Sequence, residues 1–239
     1  MLNQINLEEV LFLDIETVPE QSSIALLDEE MQYLWTEKSR FIRERQELSL
    51  EESYHQAGIY AEFGKIICIS AGYFAQRGGE RIFRVTSFFG HDEKEVLLEF
   101  AQLLNQRQGN PFNLLCAHNG KEFDFPYLCR RMVVQGISIP ALLDMAGKKP
   151  WEIAHLDTME LWKFGDYKHY TALKLLAKIF GIPTPKDDID GSQVRAVYYD
   201  ENDLDRIERY CKKDVATVAQ IFLKYRGEKL LHTEQIISV

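Results

Sequence analysis

Asp14 and Glu16 flank Ile15 in the run VLFLDIET. On an extended strand, residues i and i+2 project to the same side, so the two carboxylates point together while Ile15 turns the other way into the core. Two acids aimed at one spot repel each other unless a cation sits between them. Alone the D-x-E pattern is weak, because a chain this acidic supplies roughly one match by chance. Asp28-Glu29-Glu30 is such a second copy; it lies in helical sequence, where i and i+2 do not face each other, and reads as solvated surface. Asp124 follows the apolar run FNLLCA and the turn HNGKEF. It reads either as a cap for the next helix, with Pro126 near the helix start in support, or as a metal ligand. On the last helix, Leu204, Ile207, Cys211, Val218, Phe222 and Tyr225 form an apolar row that calls for another inward residue at 214 or 215. Val215 fills that row and Asp214 sits at its edge, with Tyr210 one turn earlier on the same side. An inward acid needs a Lys or Arg partner or a metal. The similar spacing of Tyr199 and Asp203 straddles the polar DEND segment and reads as helix capping.

The elements that must position these groups follow from periodicity. Val10 to Ile15 is a short, nearly continuous apolar run, the mark of a buried central strand. Gly64 to Phe74 and Arg81 to Phe89 are β-branched and aromatic, and Gly78-Gly79 between them signals a hairpin. Phe112 to Ala117 reads as a fourth strand and Ile153 to Asp157 as a short fifth. Helical spacing occupies Glu93 to Asn105, Phe125 to Gln135, Tyr170 to Phe180 and Asn202 to Tyr225, with Gly181 and Pro183 stopping the third of these. Strands come first and helices alternate later, so the class is α/β with a mixed sheet. No repeat or linker divides residues 1–239, which read as one domain with an acidic helical insertion at about 20–58.

The order of motifs is more specific than any one of them: Asp14-Ile15-Glu16-Thr17, then His118-Asn119-Gly120-Lys121-Glu122-Phe123-Asp124, then Tyr210-Cys211-Lys212-Lys213-Asp214. In this the sequence resembles the DEDD superfamily of 3′–5′ exonucleases, in the subclass with Tyr in the third motif. It is most similar to the predicted stand-alone exonucleases related to the proofreading domain of family-B DNA polymerases, and Asp190-Gly191-Ser192-Gln193-Val194 is similar to that group too. The resemblance spans roughly Val10 to Arg226. It implies a ribonuclease H-like fold, a mixed five-stranded sheet flanked by helices, with four acids meeting at its centre. It also implies two divalent cations, Mg²⁺ or Mn²⁺, ~4 Å apart, since hydrolysis of a phosphodiester needs an activated water and a sink for charge on the leaving oxygen. By similarity Asp14 bridges the ions, Glu16 and Asp214 serve the ion that activates water, Asp124 serves the other, and Tyr210 orients the attacking water. Thr17 and Asn119 would touch the terminal nucleotide and Phe123 would stack on a base, although a strand end, a turn and a core position respectively explain them equally well. Asp157, closing the fifth strand, resembles an acid found near the site in related enzymes and is expected behind the ligands.

The implied activity is removal of nucleoside monophosphates from the 3′ end of a single strand, with DNA favoured. Two rivals remain: an RNA-processing exonuclease of the ribonuclease D type, and a module of the same fold that binds nucleic acid or protein without catalysis. Proofreading or repair would call for a separate polymerase or repair partner. Composition fits a globular chain, 46% hydrophobic and 27% charged over 239 residues. The net charge of −9 argues against holding nucleic acid by bulk positive charge. Residues 1–60 hold 13 acids and 4 bases and carry the whole excess. Region 20–58 is therefore expected to face away from the phosphates, and substrate binding is expected to depend on metal. Four scattered cysteines without C-x-x-C spacing suggest neither a disulfide framework nor a zinc site, and six histidines without a zinc spacing argue against a histidine zinc site. Neither G-x-S-x-G nor a phosphate-binding loop occurs, although spacing alone leaves Ser-His-Asp chemistry open. No apolar stretch reaches ~20 residues and no leader pattern opens the chain, so the expected setting is the cytoplasm, away from membranes.

Overall fold

A computed structural model of the protein describes residues 2–106, 111–166, 170–183 and 189–239. Its centre is β1 (Val10–Pro19), whose apolar run is buried on both faces. β1 pairs antiparallel with β2 (Gly64–Arg77), which returns antiparallel as β3 (Glu80–Phe89). Gly78 and Gly79 join them with φ of 61° and 84°, a left-handed region that glycine enters without steric cost. On the other side β1 runs parallel to β4 (Leu114–Ala117), and β4 parallel to β5 (Leu156–Asp157). The sheet has six strands in the order β5-β4-β1-β2-β3-β6, one more than the five expected. The sixth, β6 (Ile236–Ser238), adds parallel to the free edge of β3. Three residues carry too little periodicity to announce a strand.

Alternation along β1 sorts the two layers. Leu11, Leu13 and Ile15 pack on the face covered by α3 (Glu93–Leu104) and α4 (Asp124–Val134), against Leu97, Phe100 and Leu128. Val10 and Phe12 face α8 (Leu204–Tyr225), against Val215, Val218 and Phe222. Phe12 meets Phe74, Phe83 and Phe222 edge to face, with ring centres 5.4–5.8 Å apart. Fully burying side chains of this size stabilises by about 1.5–3 kcal/mol each, which holds β1 in a single register. Shorter helices α5 (Thr158–Lys163), α6 (Leu173–Phe180) and α7 (Val194–Tyr199) lead up to α8.

The acidic stretch after β1 holds α1 (Glu29–Gln46) and α2 (Leu50–Tyr54), wrapped around a small core of their own that centres on Trp35, Tyr54 and Phe63. Asp28 caps α1 through the Met31 N–H at 2.8 Å and Asp203 caps α8 through the Arg206 N–H at 3.0 Å. Asp203 thus caps as its local sequence suggested, and Asp28, exposed as expected, caps a helix as well. Among the described residues no helix is long and apolar enough to cross a membrane.

Candidate active site

Because β1 alternates, Asp14 and Glu16 share the even-numbered face with Phe12, the face that α8 covers. A β-bulge interrupts the β1–β2 ladder between Glu16 and Thr17. The extra residue, Ile67, belongs to β2, and such a bulge bends that strand and increases the local twist where β1 ends. Glu16 is 7% exposed, whereas Asp14 keeps part of its surface open. α8 brings Tyr210 and Asp214 to the same place from the other layer, and the Tyr210 hydroxyl bonds the Asp214 carboxylate one turn along.

Asp124 arrives from the strand β4 and the turn after it. It is the first residue of α4, preceded at the cap position by Phe123, which makes no side-chain cap. The capping reading of Asp124 is therefore replaced: its carboxylate is 3% exposed, takes N–H groups of its own backbone and of Ile15, and leaves Oδ1 buried with no partner. The turn ahead of it is built on Asn119, in the left-handed region at φ 66°. Asn tolerates that region better than most side chains. Asp157 holds this turn in place. Its carboxylate accepts the Asn119 N–H at 2.9 Å and the Lys121 N–H at 3.1 Å while capping α5 through Met159 at 2.9 Å and Glu160 at 3.3 Å.

The electrostatics of the cluster are set by burial and crowding. Asp14 and Glu16 are held well above the usual carboxylate range, first by desolvation and then by each other's neighbours, Asp124 and Asp214 for Asp14, Asp14 and Asp214 for Glu16. Burial pushes Asp124 up to about 7. Tyr210 rises for the same reasons, burial first and the acids second, and stays protonated. Acids this crowded repel strongly, and a divalent cation relieves the repulsion directly. The unspent Asp124 oxygen and the all-carboxylate set suit a hard ion. Among the described residues the closest metal-binding group is Asp14, Glu16 and Cys211, whose donor atoms lie within 4.8 Å of one another.

The acids open into a cleft of about 730 Å³ that also takes in Thr17, His118, Asn119, Phe123, Tyr170, Ser192 and Arg195. Residues 59–234 match the family model described as a predicted 3′–5′ exonuclease related to the exonuclease domain of PolB. The chain belongs to that family. Asp124, Asp157, Tyr210 and Asp214 lie within the matched residues, whereas Asp14 and Glu16 precede residue 59 and lie outside them. The chain is also similar to a DNA polymerase of Pyrococcus glycovorans, 21% identical over 195 residues that make up 72% of this chain and 23% of the polymerase. The family B DNA polymerase of the hyperthermophilic archaeon Pyrobaculum calidifontis matches in structure with a TM-score of 0.56 and 15% identity, over 90% of this chain and 24% of that one. The fold is thus ribonuclease H-like, and the chain spans about a quarter of the polymerases it matches.

In this member of the exonuclease family the cleft gathers Asp14, Glu16, Thr17, Asn119, Phe123, Asp124, Tyr210 and Asp214, while Asp157 stands behind the Asn119 turn. Thr17 also bonds the Tyr127 hydroxyl, and Phe123 packs on the Tyr127 ring at 5.3 Å, so both have structural work beside any contact with a substrate. One expectation is overturned. Region 20–58 does not turn away from the site, because Glu52, His55, Gln56 and Gly58 line the cleft. A Cβ on Gly58 would come within 2.9 Å of the Val18 carbonyl carbon, so only glycine lets this segment lie against β1. The Glu52 carboxylate is engaged at its own helix start, accepting the Ser49 N–H at 2.8 Å, which places it at the positive end of α2. Cys211 was also missed. Its apolar-row position reads as core, and nothing local marks its contact with Asp14.

Asp157→Ala removes the carboxylate that accepts four N–H groups. It is expected to cost about 2 kcal/mol, the upper end for a lost cap, and to lower any exonuclease activity by loosening the Asn119 turn. Asp203→Ala, a cap remote from the cleft, is the control. Thermal melts and turnover of both proteins check this, and equal activity in the two would remove Asp157 from the site.

Proposed function

We propose that the protein is a metal-dependent 3′–5′ exonuclease that hydrolyses phosphodiester bonds at the free 3′ end of single-stranded nucleic acid, DNA favoured, and releases nucleoside monophosphates. The observation that carries this reading is the convergence of Asp14 and Glu16 from β1, Asp124 from α4 and Asp214 from α8 on one cleft, with an unspent buried oxygen on Asp124. Family membership supports the reaction class, and the DNA polymerases among the relatives support DNA.

Asp14, Glu16, Asp124 and Asp214 would hold two divalent cations, Mg²⁺ or Mn²⁺. Such ions supply a water activated near neutral pH and a sink for charge on the phosphate and leaving oxygen. The Tyr210 hydroxyl, protonated and tethered to Asp214, keeps a lone pair to receive and orient a hydrogen of the attacking water. Asn119 and Thr17 line the floor where a terminal nucleotide would lie, and the Phe123 ring offers a face for its base. Arg195, bonded through its two terminal nitrogens to the Ser22 carbonyl and to Asp200 at 2.7 Å each, adds a fixed guanidinium to the cleft lining. Four free thiols suit the reducing cytoplasm we assign to it. A role in proofreading or repair requires a separate polymerase or repair protein as partner.

The direct test is a 5′-labelled oligonucleotide, as DNA and as RNA, incubated with Mg²⁺ or Mn²⁺ and with chelator. A ladder that shortens from the 3′ end and stops with chelator is expected, faster on DNA. Binding without shortening of either polymer would replace the enzyme by a binding module, and preference for RNA would move it to the ribonuclease D type. Tyr210→Phe keeps the ring and loses the hydroxyl. It is expected to slow turnover about tenfold to a hundredfold, the scale of a misplaced reactant, with substrate affinity unchanged; steady-state kinetics separate the two.

A further inference from the structure

Cys211 lies among the acids and has no part in the reaction proposed above. Its Sγ is 3.4 Å from both the backbone carbonyl oxygen and Oδ2 of Asp14. The sulfur and one oxygen from each of Asp14 and Glu16 lie within 4.8 Å of one another. Cys211 is fully buried at the contact of α8 with β1, so its side chain has no alternative surface to occupy. Asp124, 3% exposed, brings its unpartnered Oδ1 into the same cleft, a buried acceptor that an ion would satisfy. Hard ions such as Mg²⁺ select oxygen and leave a thiol aside, whereas zinc-class ions take sulfur together with carboxylate.

We infer that the cluster has a second, sulfur-assisted binding mode, in which Cys211 joins Asp14 and Glu16 to hold a zinc-class divalent ion. The Cys211 S–H bond breaks as the metal–sulfur bond forms, and the proton leaves to solvent. Asp14 and Glu16 serve both modes, so zinc-class ions compete with Mg²⁺ or Mn²⁺ and hold the site in an inhibited form. The inference rests on the reading of Asp14 and Glu16 as metal ligands. It does not require that the Mg²⁺ or Mn²⁺ form be catalytic.

Co²⁺ is the probe, because a cobalt ion bound to a thiolate acquires a sulfur-to-metal charge-transfer band in the near ultraviolet. The 239-residue protein titrated with Co²⁺ is expected to show this band, and excess Mn²⁺ is expected to remove it. The band is expected to vanish in Cys211→Ser and in Cys211→Ala and to persist in Cys129→Ser, each variant being checked for native circular dichroism. In a chelator competition, Zn²⁺ affinity is expected to fall at least about tenfold in Cys211→Ser, since even loss of an outer-shell partner costs that much. Asp14→Asn is expected to weaken Co²⁺ similarly. The inference is overturned if the wild-type protein shows no band, if the band survives in Cys211→Ser, or if Asp14→Asn leaves it unchanged. A band without exonuclease activity in Mg²⁺ or Mn²⁺ would sink the proposed function alone, and activity without a band would sink this inference alone.

Discussion

An Asp14→Asn protein is expected to lose 3′-end shortening by about a thousandfold or more while becoming no less stable. Asparagine keeps the shape of the side chain and part of its hydrogen bonding, and removes one negative charge from the centre of the cluster. Charge stabilisation by a correctly held ion is worth several kcal/mol at the transition state, and about 4 kcal/mol corresponds to roughly three powers of ten in rate. The stability sign is the opposite of that for an ordinary buried substitution. In the metal-free protein Asp14 is a largely desolvated acid pressed by Asp124 and Asp214, with no cation among the largest influences on it. Taking away its charge therefore relieves repulsion, as happens when an active site trades stability for activity. Melting curves with and without Mn²⁺ separate the effects: the wild type is expected to gain stability on adding the ion by mass action, and the variant to melt higher without it and gain less. Retained activity in Asp14→Asn would remove this residue from the ligand set and with it the core of the proposed mechanism.

Glu93→Ala is expected to be the most destabilising single change in the molecule outside the aromatic core. Glu93, at the start of α3, receives the Arg131 guanidinium through Nε at 2.8 Å and a terminal nitrogen at 2.5 Å. It also accepts the Ile66 N–H at 2.7 Å and the Gln135 amide at 2.7 Å. Arg131 further reaches the Ala61 carbonyl at 2.9 Å and Glu20 at 3.2 Å. Glu93 and Arg131 are 5% and 4% exposed, so the alanine takes away the main partner of a buried guanidinium and leaves it only the more exposed Glu20 and the Ala61 carbonyl. Breaking one half of a buried pair costs about 3–5 kcal/mol, a large share of the ~5–15 kcal/mol that holds a domain folded. At about 2–4 °C per kcal/mol for a chain of this size, the melting temperature is expected to fall by roughly 10 °C. Replacing both partners by methionine, Glu93→Met with Arg131→Met, is expected to recover most of the loss, because the penalty belongs to the stranded charge. A double replacement as unstable as the single one would mean that packing, not charge, is at stake. The pair also bears on the site, since Arg131 lies on α4 and Asp124 begins that helix; activity is expected to fall with stability in Glu93→Ala and to return in the double variant.

Local chemistry explains why some of the site was readable in advance. Asp14 and Glu16 announce a shared face because a strand has period two, and Asp214 announces itself as an acid at the edge of an apolar row with a period near 3.6. Asp124 was marked by position, after a strand and a turn, but whether it caps or faces the cleft was undecided until α4 was seen to begin at Asp124 itself, leaving an oxygen unspent. Cys211 was hidden by its own suitability for the core. Its sulfur faces Asp14 only because α8 crosses β1 where it does.

What the amino-acid order determined, then, is the α/β class, the strand and helix that carry the acids, and the side of each element on which they stand. Periodicity records burial one element at a time, and that information is complete within a strand or a helix. The tertiary structure alone decided how the elements meet. It placed Gly58 against the end of β1 and Glu52 of α2 at the cleft, so that an acidic segment lines the cleft it was expected to avoid. It bulged β2 at Ile67, opposite the Glu16–Thr17 step of β1, made Asp157 the anchor of the Asn119 turn, and added β6 to the sheet. Each of these depends on contacts between residues tens to more than a hundred positions apart, where the energy lies in close packing and in satisfying buried polar groups. Neither leaves a periodic trace in the local sequence.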